Sequence, residues 1–303
     1  MDQANELRKM LGEEAHKIHR RRGDLDPPFH PGNNGPRVMA VTSGKGGVGK
    51  TNIVGNLAIA CQRMGKKVLL LDADLGLANI DIIFGLNPEH SIDEVIRGEK
   101  ELSQIIIEGP EGVAVIPASS GVHQLAHLSE GQKMNLLNEF DLLTGRFDLL
   151  LIDTGAGISS NVLYFNLAAE EKIVVVTPEP TSITDAYALM KVMFRQYGTK
   201  DFLILMNMVR NEQEAKGVFH NLSSAMGRFM AGISMDYAGC ILKDRCLQKA
   251  IWNRVPVLCR YPEASSSSHL NELARYLLRR TERAPTDGNI KFFWKRILSS
   301  AVE

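Results

Sequence analysis

The sequence predicts an α/β fold in which helices cover both faces of a doubly wound, mostly parallel β-sheet. The first observation is a series of short apolar runs, at residues 38–42, 68–71, 113–116, 149–152, 173–176 and 202–206. Apolar residues in these runs are continuous rather than alternating, which is typical of strands buried on both faces of a parallel sheet. The second observation is that longer amphipathic stretches separate the runs, near residues 50–64, 129–144, 181–197, 211–230 and 268–281. Strands that alternate with helices in this way predict a doubly wound architecture.

The length and composition are those of a globular protein without a global charge. The 303 residues are enough to bury a sizeable core, and 44% hydrophobic with 23% charged residues is ordinary for a soluble domain. The formal net charge is zero, so any binding to nucleic acid or membrane must come from local patches. The four cysteines include no C-x-x-C pair and predict reduced structural thiols rather than a metal site. No apolar run is long enough to span a membrane and the first residues do not form a signal peptide, so we expect a cytoplasmic protein.

Changes in composition divide the chain into four segments. Residues 1–22 have a helical pattern that ends in a basic run at 17–22. Residues 23–36 are rich in proline and glycine, which exclude regular hydrogen-bonded structure and predict a linker. The alternating runs fill residues 37–284, and residues 285–303 follow a second break. We therefore expect a helix, a linker, one α/β domain and a terminal amphipathic helix.

A phosphate-binding loop follows the first predicted strand. Residues 44–51 fit the pattern G-x-x-x-x-G-K-[ST], and a predicted helix begins inside them, which is the context that supports the motif. Backbone N–H groups of such a loop close around phosphate oxygens, and the helix N-terminus adds positive potential. Lys50 is expected to reach the β- and γ-phosphates, and Thr51 to ligate Mg²⁺. The nucleotide-binding residues predicted here are Gly44, Lys45, Gly46, Gly47, Val48, Gly49, Lys50 and Thr51.

A second lysine, Lys45, stands at the start of this loop. With it the sequence resembles the MinD/ParA family of deviant Walker A ATPases. The resemblance implies that Lys45 contacts nucleotide phosphates across the interface of a homodimer that forms with ATP. A cation supplied by the partner subunit would stabilise charge as an arginine finger does, and would make hydrolysis depend on dimerisation. The implied activity is hydrolysis of ATP to ADP and phosphate, with ATP/ADP and Mg²⁺ as cofactors and Lys45, Lys50 and Asp74 as catalytic residues.

Carboxylates follow two of the apolar runs. Asp72 and Asp74 come directly after residues 68–71, and Asp153 ends the run 149–152. The carboxyl ends of parallel strands lie beside the phosphate loop in such folds. The resemblance implies that Asp74 orients the attacking water and contacts the Mg²⁺ shell, and that Asp153 occupies the Walker B position, with Thr51 as a further metal ligand. For Asp72 a second interpretation is a helix or turn cap.

The adenine side of the site is less sharply marked. Asn207 ends the sixth apolar run, where the resembled family places an asparagine against the base. In septum-site MinD an arginine follows that asparagine, whereas this chain has Met208. Ile241, Leu242 and Asp244 match a second adenine-side segment of the family. An ordinary strand and loop would give the same pattern.

The N-terminus indicates one branch of the family. Its first residues look like the D-Q-A-x-x-L-R element of the flagellar-number regulators of the FlhG/FleN (YlxH) branch, and residues 177–191 match those regulators as well. The resemblance implies binding to the flagellar GTPase FlhF and stimulation of its activity through this helix. A frayed terminus is the plain alternative. The partner-binding residues predicted here are Asp2, Gln3, Ala4, Leu7 and Arg8.

The C-terminal segment carries an apolar stripe with aromatic residues. Apolar side chains recur at helical spacing through residues 289–302, and three cations lie off the stripe. Aromatic residues with flanking cations describe an interfacial membrane helix, and MinD-like proteins end in such a helix. A helix packed on the protein's own core is the alternative. The membrane-facing residues predicted here are Ile290, Phe293, Trp294, Ile297 and Leu298.

These features together predict an ATP-dependent, dimerising regulator of flagellar number and placement. We expect a cytoplasmic protein that associates peripherally with the inner membrane in the ATP state. A flagellar transcription regulator or a basal-body protein is a further candidate partner. A ParA-type DNA-partitioning ATPase is an alternative, but we expect no direct nucleic-acid binding, because the sequence has no basic cluster beyond residues 17–22. A septum-site MinD is the other alternative, and the N-terminal extension argues against it.

Overall fold

The computed structural model describes residues 36–74, 79–117, 129–143 and 145–280. The chain divides into two compact units, Met1–Asn33 and Asn34–Glu303, and every described residue lies in the second unit. The partner-binding residues predicted in segment 1–22 and the membrane-facing residues predicted in segment 285–303 lie outside the described residues. No helix in the described part of the chain is long and apolar enough to cross a membrane.

The central sheet has eight strands in the order β3-β4-β2-β5-β1-β6-β7-β8 within the described residues. Neighbouring strands are parallel except for the β3–β4 pair, which is antiparallel. The strands are β1 Arg37–Ser43, β2 Val68–Ala73, β3 Ile107–Glu108, β4 Ala114–Ile116, β5 Leu149–Ala156, β6 Glu171–Val176, β7 Asp201–Val209 and β8 Ser234–Leu242. The six apolar runs correspond to β1, β2, β4, β5, β6 and β7, which confirms the predicted fold class.

Helices cover both faces of this sheet. They are α1 Lys50–Arg63, α2 Ile80–Phe84, α3 Ile92–Ile96, α4 Leu102–Ile105, α5 Glu130–Asp141, α6 Ser160–Ala168, α7 Pro180–Tyr197, α8 Glu212–Phe229, α9 Arg245–Trp252, α10 Val257–Arg260 and α11 Ser265–Arg280. The five predicted helices correspond to α1, α5, α7, α8 and α11. Helices α2–α4, α6, α9 and α10, together with β3 and β8, were not predicted as separate elements.

Alternate residues of each inner strand enter opposite layers of the core. Met39 and Val41 of β1 pack with α1 and α11 on one face, whereas Val38 and Ala40 pack with α3–α6 on the other. Strands β6 and β7 continue the second layer against α7 and α8. Because both faces are covered, the strands are apolar at successive positions, and this is the pattern that the sequence displays.

The strand order fixes where a ligand site can form. Strand β1 lies between β5 and β6; helix α1, which follows β1, packs on one face of the sheet, whereas α6 and α7, which follow β5 and β6, pack on the other. Open α/β sheets bind ligands outside the carboxyl ends of the strands at such a switch point. Asp153 of β5 pairs with Val41 of β1 and with Asp72 of β2, so these three strands end at one level.

Candidate nucleotide-binding site

The loop after β1 forms an open cradle at the start of α1. Gly47 and Gly49 have left-handed backbone conformations, with φ of 78° and 90°. A Cβ atom built on Gly46 or Gly47 would meet no described heavy atom within 4 Å, so the space above these two residues is free. Helix α1 begins at Lys50, and no side chain caps its first N–H groups. Uncapped N–H groups at a helix N-terminus bind anions, so this loop is built to receive phosphate.

Neighbouring elements hold the cradle from three sides. The Ser43 hydroxyl donates a hydrogen bond of 2.7 Å to the Lys45 carbonyl at the end of β1. From the end of β7, Asn207 Nδ2 donates a buried hydrogen bond of 2.7 Å to the Val48 carbonyl. Gly44 lies so close to α7 that a Cβ there would be 2.1 Å from the Asp185 carbonyl oxygen. The loop conformation is therefore set by packing, before any ligand is bound.

Lys50 and Asp153 place opposite charges under this cradle. Lys50 is 7% exposed and Asp153 is fully buried. Burial lowers the pKa of Lys50, while the charges of Asp153 and Asp74 oppose that shift. Burial, with the Asp72 charge added, raises the pKa of Asp153, although Thr51 and Lys50 favour its ionised form. The charges of Lys50 and of the carboxylates therefore offset the cost of burial only in part.

Asp153 offers oxygens for a metal ion. Both of its carboxylate oxygens are buried, and neither is assigned a hydrogen bond from another described residue. A buried carboxylate without donors is costly unless a cation or donor joins it. Carboxylate and hydroxyl oxygens are the ligands that Mg²⁺ prefers, and Thr51 in the first turn of α1 is close enough to influence the Asp153 pKa. The residues present therefore fit a divalent cation.

Asp72 organises the segment that follows β2. Its Oδ1 accepts a hydrogen bond from the Asp74 N–H, and its Oδ2 accepts hydrogen bonds from the N–H groups of Asn79 and Ile80, each at 3.1 Å. Burial raises the pKa of Asp72 to about 6, and these three backbone bonds oppose the shift. The capping interpretation of Asp72 is the one that the hydrogen bonds support.

Asp74 points toward the end of β5. Its Oδ1 lies 3.4 Å from the position that a Cβ on Gly155 would take, two residues beyond Asp153. The Asp74 charge acts on both Lys50 and Asp153. Asp74, Asp153 and Lys50 are therefore brought together, as the motifs predicted.

Lys45 lies at the mouth of the cradle with partners that the sequence did not indicate. Its Nζ donates hydrogen bonds to Glu179 Oε2 at 2.6 Å and to Thr181 Oγ1 at 2.9 Å. The Lys45 side chain remains 35% exposed. Glu179 and Thr181 begin α7 directly after β6, which neighbours β1 in the sheet. These partners could not be predicted from the sequence, because it does not show that β6 is the neighbour of β1 in the sheet.

The predicted adenine-side residues have structural partners of their own. Asn207 is 3% exposed and its amide nitrogen is bonded to the phosphate loop. The side chain of Ile241 is fully buried in the core. Asp244 caps α9 through the Cys246 N–H at 2.7 Å, and its other oxygen accepts hydrogen bonds from Ser266 N and Oγ at 2.9 and 2.8 Å. Burial opposes ionisation of Asp244, but these hydrogen bonds outweigh it and lower the pKa.

Met208 is a site residue that the motifs did not identify. It follows Asn207 with φ of 57°, a conformation that non-glycine residues rarely adopt and that occurs often at functional sites. Its side chain is 36% exposed, and its Cε lies 3.6 Å from the position that a Cβ on Gly49 would take. Leu242 is half-buried at the end of β8. The wall beside the loop therefore includes an apolar, partly exposed thioether where septum-site MinD carries an arginine.

Known proteins are similar to this chain in sequence. The family model described as ParA, "NUBPL iron-transfer P-loop NTPase", matches residues 35–278. The antiactivator FleN of Pseudomonas aeruginosa is 40% identical over 262 residues, which cover 86% of this chain and 93% of that protein. The flagellum site-determining protein YlxH of Helicobacter pylori is 33% identical over 275 residues, which cover 89% of this chain and 92% of that protein.

Solved structures of MinD have the same fold. MinD from Pyrococcus horikoshii, complexed with Mg-ADP, superposes with a TM-score of 0.66 at 23% identity, over 81% of this chain and 97% of that one. A MinD chain in the MinC:MinD complex of Aquifex aeolicus gives a TM-score of 0.65 at 24% identity, over 82% and 98%. With the phosphate loop, the paired lysines and the strand-end carboxylates, these similarities show that the chain belongs to the ParA family of P-loop NTPases, as a MinD-like ATPase of the branch that includes FleN and YlxH.

Proposed function

We propose that this ATPase is a nucleotide-switched regulator of flagellar number and placement, and that it acts as a homodimer in the ATP state. The observation that carries the proposal is the similarity to FleN and YlxH across nearly nine-tenths of the chain. The names of those proteins, an antiactivator and a flagellum site-determining protein, both describe control rather than metabolism. A switch needs a conformational state as its output, so slow turnover is expected.

In this proposal the cradle and the strand-end carboxylates divide the work of hydrolysis. The loop N–H groups and Lys50 bind and orient the phosphates of ATP. Asp74 would hold the attacking water in line, and Thr51 and Asp153 would hold Mg²⁺. The metal, when bound, neutralises charge that develops on the phosphate oxygens.

Lys45 supplies the link between hydrolysis and dimerisation. Its amine is partly exposed at the mouth of the site, where a second subunit has access to it. To act on the nucleotide of a partner it must leave Glu179 and Thr181, and each is a surface contact of modest energy. Insertion into the partner site would replace them with phosphate oxygens, which are stronger acceptors for a cation.

Two further parts of the proposal concern the terminal segments. Residues 2–8 would bind the flagellar GTPase FlhF and stimulate it, and residues 290–298 would place the ATP dimer on the inner membrane surface. A flagellar transcription regulator is a further candidate partner, as the name antiactivator suggests for FleN. Deleting residues 2–11 should remove stimulation of the GTPase and leave basal ATPase activity intact.

An Asp74→Ala variant tests the enzymatic and regulatory parts together. The purified variant should bind ATP and dimerise, but it should release phosphate at a small fraction of the wild-type rate. In cells that lack the native gene it should restore neither the normal number nor the normal position of flagella, as counted by electron microscopy. Wild-type turnover would refute the role of Asp74. Normal number and position of flagella with a variant that does not hydrolyse ATP would refute the proposal that hydrolysis switches the regulator.

A further inference from the structure

Helix α9 presents an exposed tryptophan between cations. Trp252 is 89% exposed, and Ile251 beside it is 40% exposed. Large aromatic side chains contribute 150–250 Å² of surface each, and an isolated soluble domain gains nothing by leaving an indole in water. The neighbouring exposed side chains on α9 are Arg245, Gln248 and Lys249, which with Trp252 form one stripe at i, i+3, i+4 and i+7.

The inner side of the same helix is fixed to the core. Ala250 is 1% exposed, and Leu247 packs on the buried cluster beneath the sheet. Asp244 caps the first turn and is bonded to Ser266 of α11. The outward stripe is therefore rigidly held, and its exposure does not result from a loosely packed element.

The turn after α9 contains an arginine where glycine is usual. Arg254 has φ of 53°. Its N–H donates to the Ile251 carbonyl at 3.0 Å, and the Val255 N–H donates to the Ala250 carbonyl at 3.1 Å. These two bonds form a Schellman motif whose left-handed position Arg254 occupies, and glycine is favoured there because it has no Cβ. Residues held in such sparsely populated conformations occur often at functional sites.

Three cations on α9 and directly after it have no partners among the described residues. Arg245, Lys249 and Arg254 are exposed, and none of them makes an ion pair or side-chain hydrogen bond with another described residue. The sequence alone did not reveal this patch, because its cations are spread over ten positions with Asp244 just before them. Helix α9 brings Arg245, Lys249 and Trp252 to one side, and Arg254 follows in the turn that ends the helix; we call these four residues the α9 surface (Arg245, Lys249, Trp252 and Arg254).

We propose that the α9 surface is a docking site for a partner protein with an acidic patch and an apolar pocket that receives Trp252. Tryptophan and arginine are the residues that most often dominate protein–protein binding energy. Unpaired cations around the indole select an acidic partner and steer its approach. This proposal does not depend on the flagellar role proposed above.

The other two classes of anionic partner fit the surface less well. An interfacial membrane helix needs a continuous apolar face, whereas the apolar side of α9 faces the core and only Trp252 and Ile251 point outward. A nucleic-acid site needs enough cations to displace many counterions, and three cations on a chain of zero net charge supply few phosphate contacts. A protein surface requires only one anchor and a few complementary charges.

The test is a photo-crosslinking amino acid with an aromatic side chain, which keeps a large ring in place of the indole, at position 252 of the full-length chain in cells of the source organism. We expect an adduct with a different protein, and mass spectrometry should map the link to a peptide that contains several Asp or Glu residues. The adduct should fall at least tenfold in an Arg245→Glu, Lys249→Glu background and return when the mapped acidic residues are changed to Lys. The same crosslinker at Tyr197, which is 48% exposed at the end of α7, is the control position.

Every other outcome overturns the proposal. A link to a second copy of this chain would make the surface an oligomer interface, and a link to nucleic acid or lipid would assign the other classes. Yield no greater than at Tyr197, or yield that charge reversal leaves unchanged, would show that nothing of this chemistry docks there. The ATPase rate of the purified charge-reversal variant should equal that of the wild type, so failure here is separate from failure of the enzymatic assignment.

An Arg254→Gly variant separates binding from folding at the same surface. Glycine relieves the left-handed strain, so the melting temperature should rise. The crosslinking yield at position 252 should nevertheless fall several-fold. A rise in melting temperature without loss of crosslinking yield would show that Arg254 has no part in docking. That result would overturn the proposal for the α9 surface as it is defined here by four residues.

Discussion

Two glycines of the phosphate loop allow the structural and the ligand-binding roles of the loop to be separated. A Cβ on Gly44 would lie 2.1 Å from the carbonyl carbon and oxygen of Asp185 and 2.5 Å from the backbone nitrogen of Ala186. A Cβ on Gly46 would meet no described heavy atom within 4 Å. The same chemical change, Gly→Ala, should therefore have opposite consequences at positions two residues apart.

Gly44→Ala should destabilise the fold. Ordinary contact begins at 3.4 Å, so the loop and α7 would have to separate by about 1.3 Å. Ala186, Leu189 and Met190 on α7 are fully buried, so the helix is not free to move. Overpacking of this kind costs about 1–3 kcal/mol, and a clash with backbone rather than side chain lies at the upper end. The expected loss of melting temperature is roughly 5 °C or more for a domain of this size.

Gly46→Ala should leave the apo fold intact and weaken nucleotide binding. Its added methyl group would occupy the space above the loop, where a phosphate oxygen approaches the backbone N–H groups. Loss of one charge-assisted hydrogen bond costs about 1.5–3 kcal/mol, which is roughly a 10- to 150-fold rise in Kd. Reduced freedom of the unfolded chain should keep the melting temperature at or slightly above that of wild type.

Thermal melting without nucleotide and titration with a fluorescent ADP analogue measure the two effects separately. Gly46→Ala that binds the analogue as tightly as wild type would show that phosphate does not occupy the open space above Gly46. Gly44→Ala with an unchanged melting temperature would show that the loop does not pack against α7 as closely as described.

Three further predictions follow from other parts of the molecule. Asp153→Asn should flatten the pH dependence of the apo melting temperature. Because folding raises the Asp153 pKa, the favourable contribution of this carboxyl to folding is present near pH 4 and is lost as pH rises through about 8. The wild type should therefore melt at a lower temperature at pH 8 than at pH 5, and an equal dependence on pH in the variant would contradict this. Lys45→Ala should lose both ATP-dependent dimerisation in sedimentation and turnover, and a normal dimer would exclude action across the interface. Phe293→Asp should release the ATP-bound protein from anionic liposomes at an unchanged melting temperature, whereas a large drop in that temperature would assign the C-terminal segment to the core.

The elements with a strong local signal could be predicted from the sequence, and those defined by tertiary contacts could not. The inner strands were predictable because burial on both faces leaves them continuously apolar. Strand β8 was missed because it lies at the sheet edge, where several residues are only half-buried, and because Gly239 with φ of 116° interrupts it. Helices α2–α4 have four or five residues each, too few to show a helical period.

The same distinction applies to the site. The phosphate loop is a contiguous motif, so Gly44–Thr51 could be read directly from the sequence. The partners of Lys45 are 134 and 136 residues away in the chain, and only the β1–β6 pairing brings them close. Asp244 is predicted at the nucleotide from its place in a family segment, and in the described structure both of its carboxylate oxygens accept hydrogen bonds from the protein. Similarity to a family segment predicts where a residue lies in the fold, but it does not predict where its side chain points.

The charges beneath the cradle explain why nucleotide occupancy and stability should be linked in this protein. Among the described residues, Lys50 is a cation that favours the ionised form of Asp153, whereas Asp72 and Asp74 add to its negative surroundings. Burial raises the pKa of both Asp72 and Asp153, which means that ionising them in the apo fold costs free energy. A divalent cation relieves that cost only in the folded state, because the unfolded chain does not assemble the site. Ligand that binds the folded state alone shifts the folding equilibrium toward it. The same carboxylates that prepare the site for a cation therefore make the apo protein the less stable form, and binding of a divalent cation should raise the melting temperature.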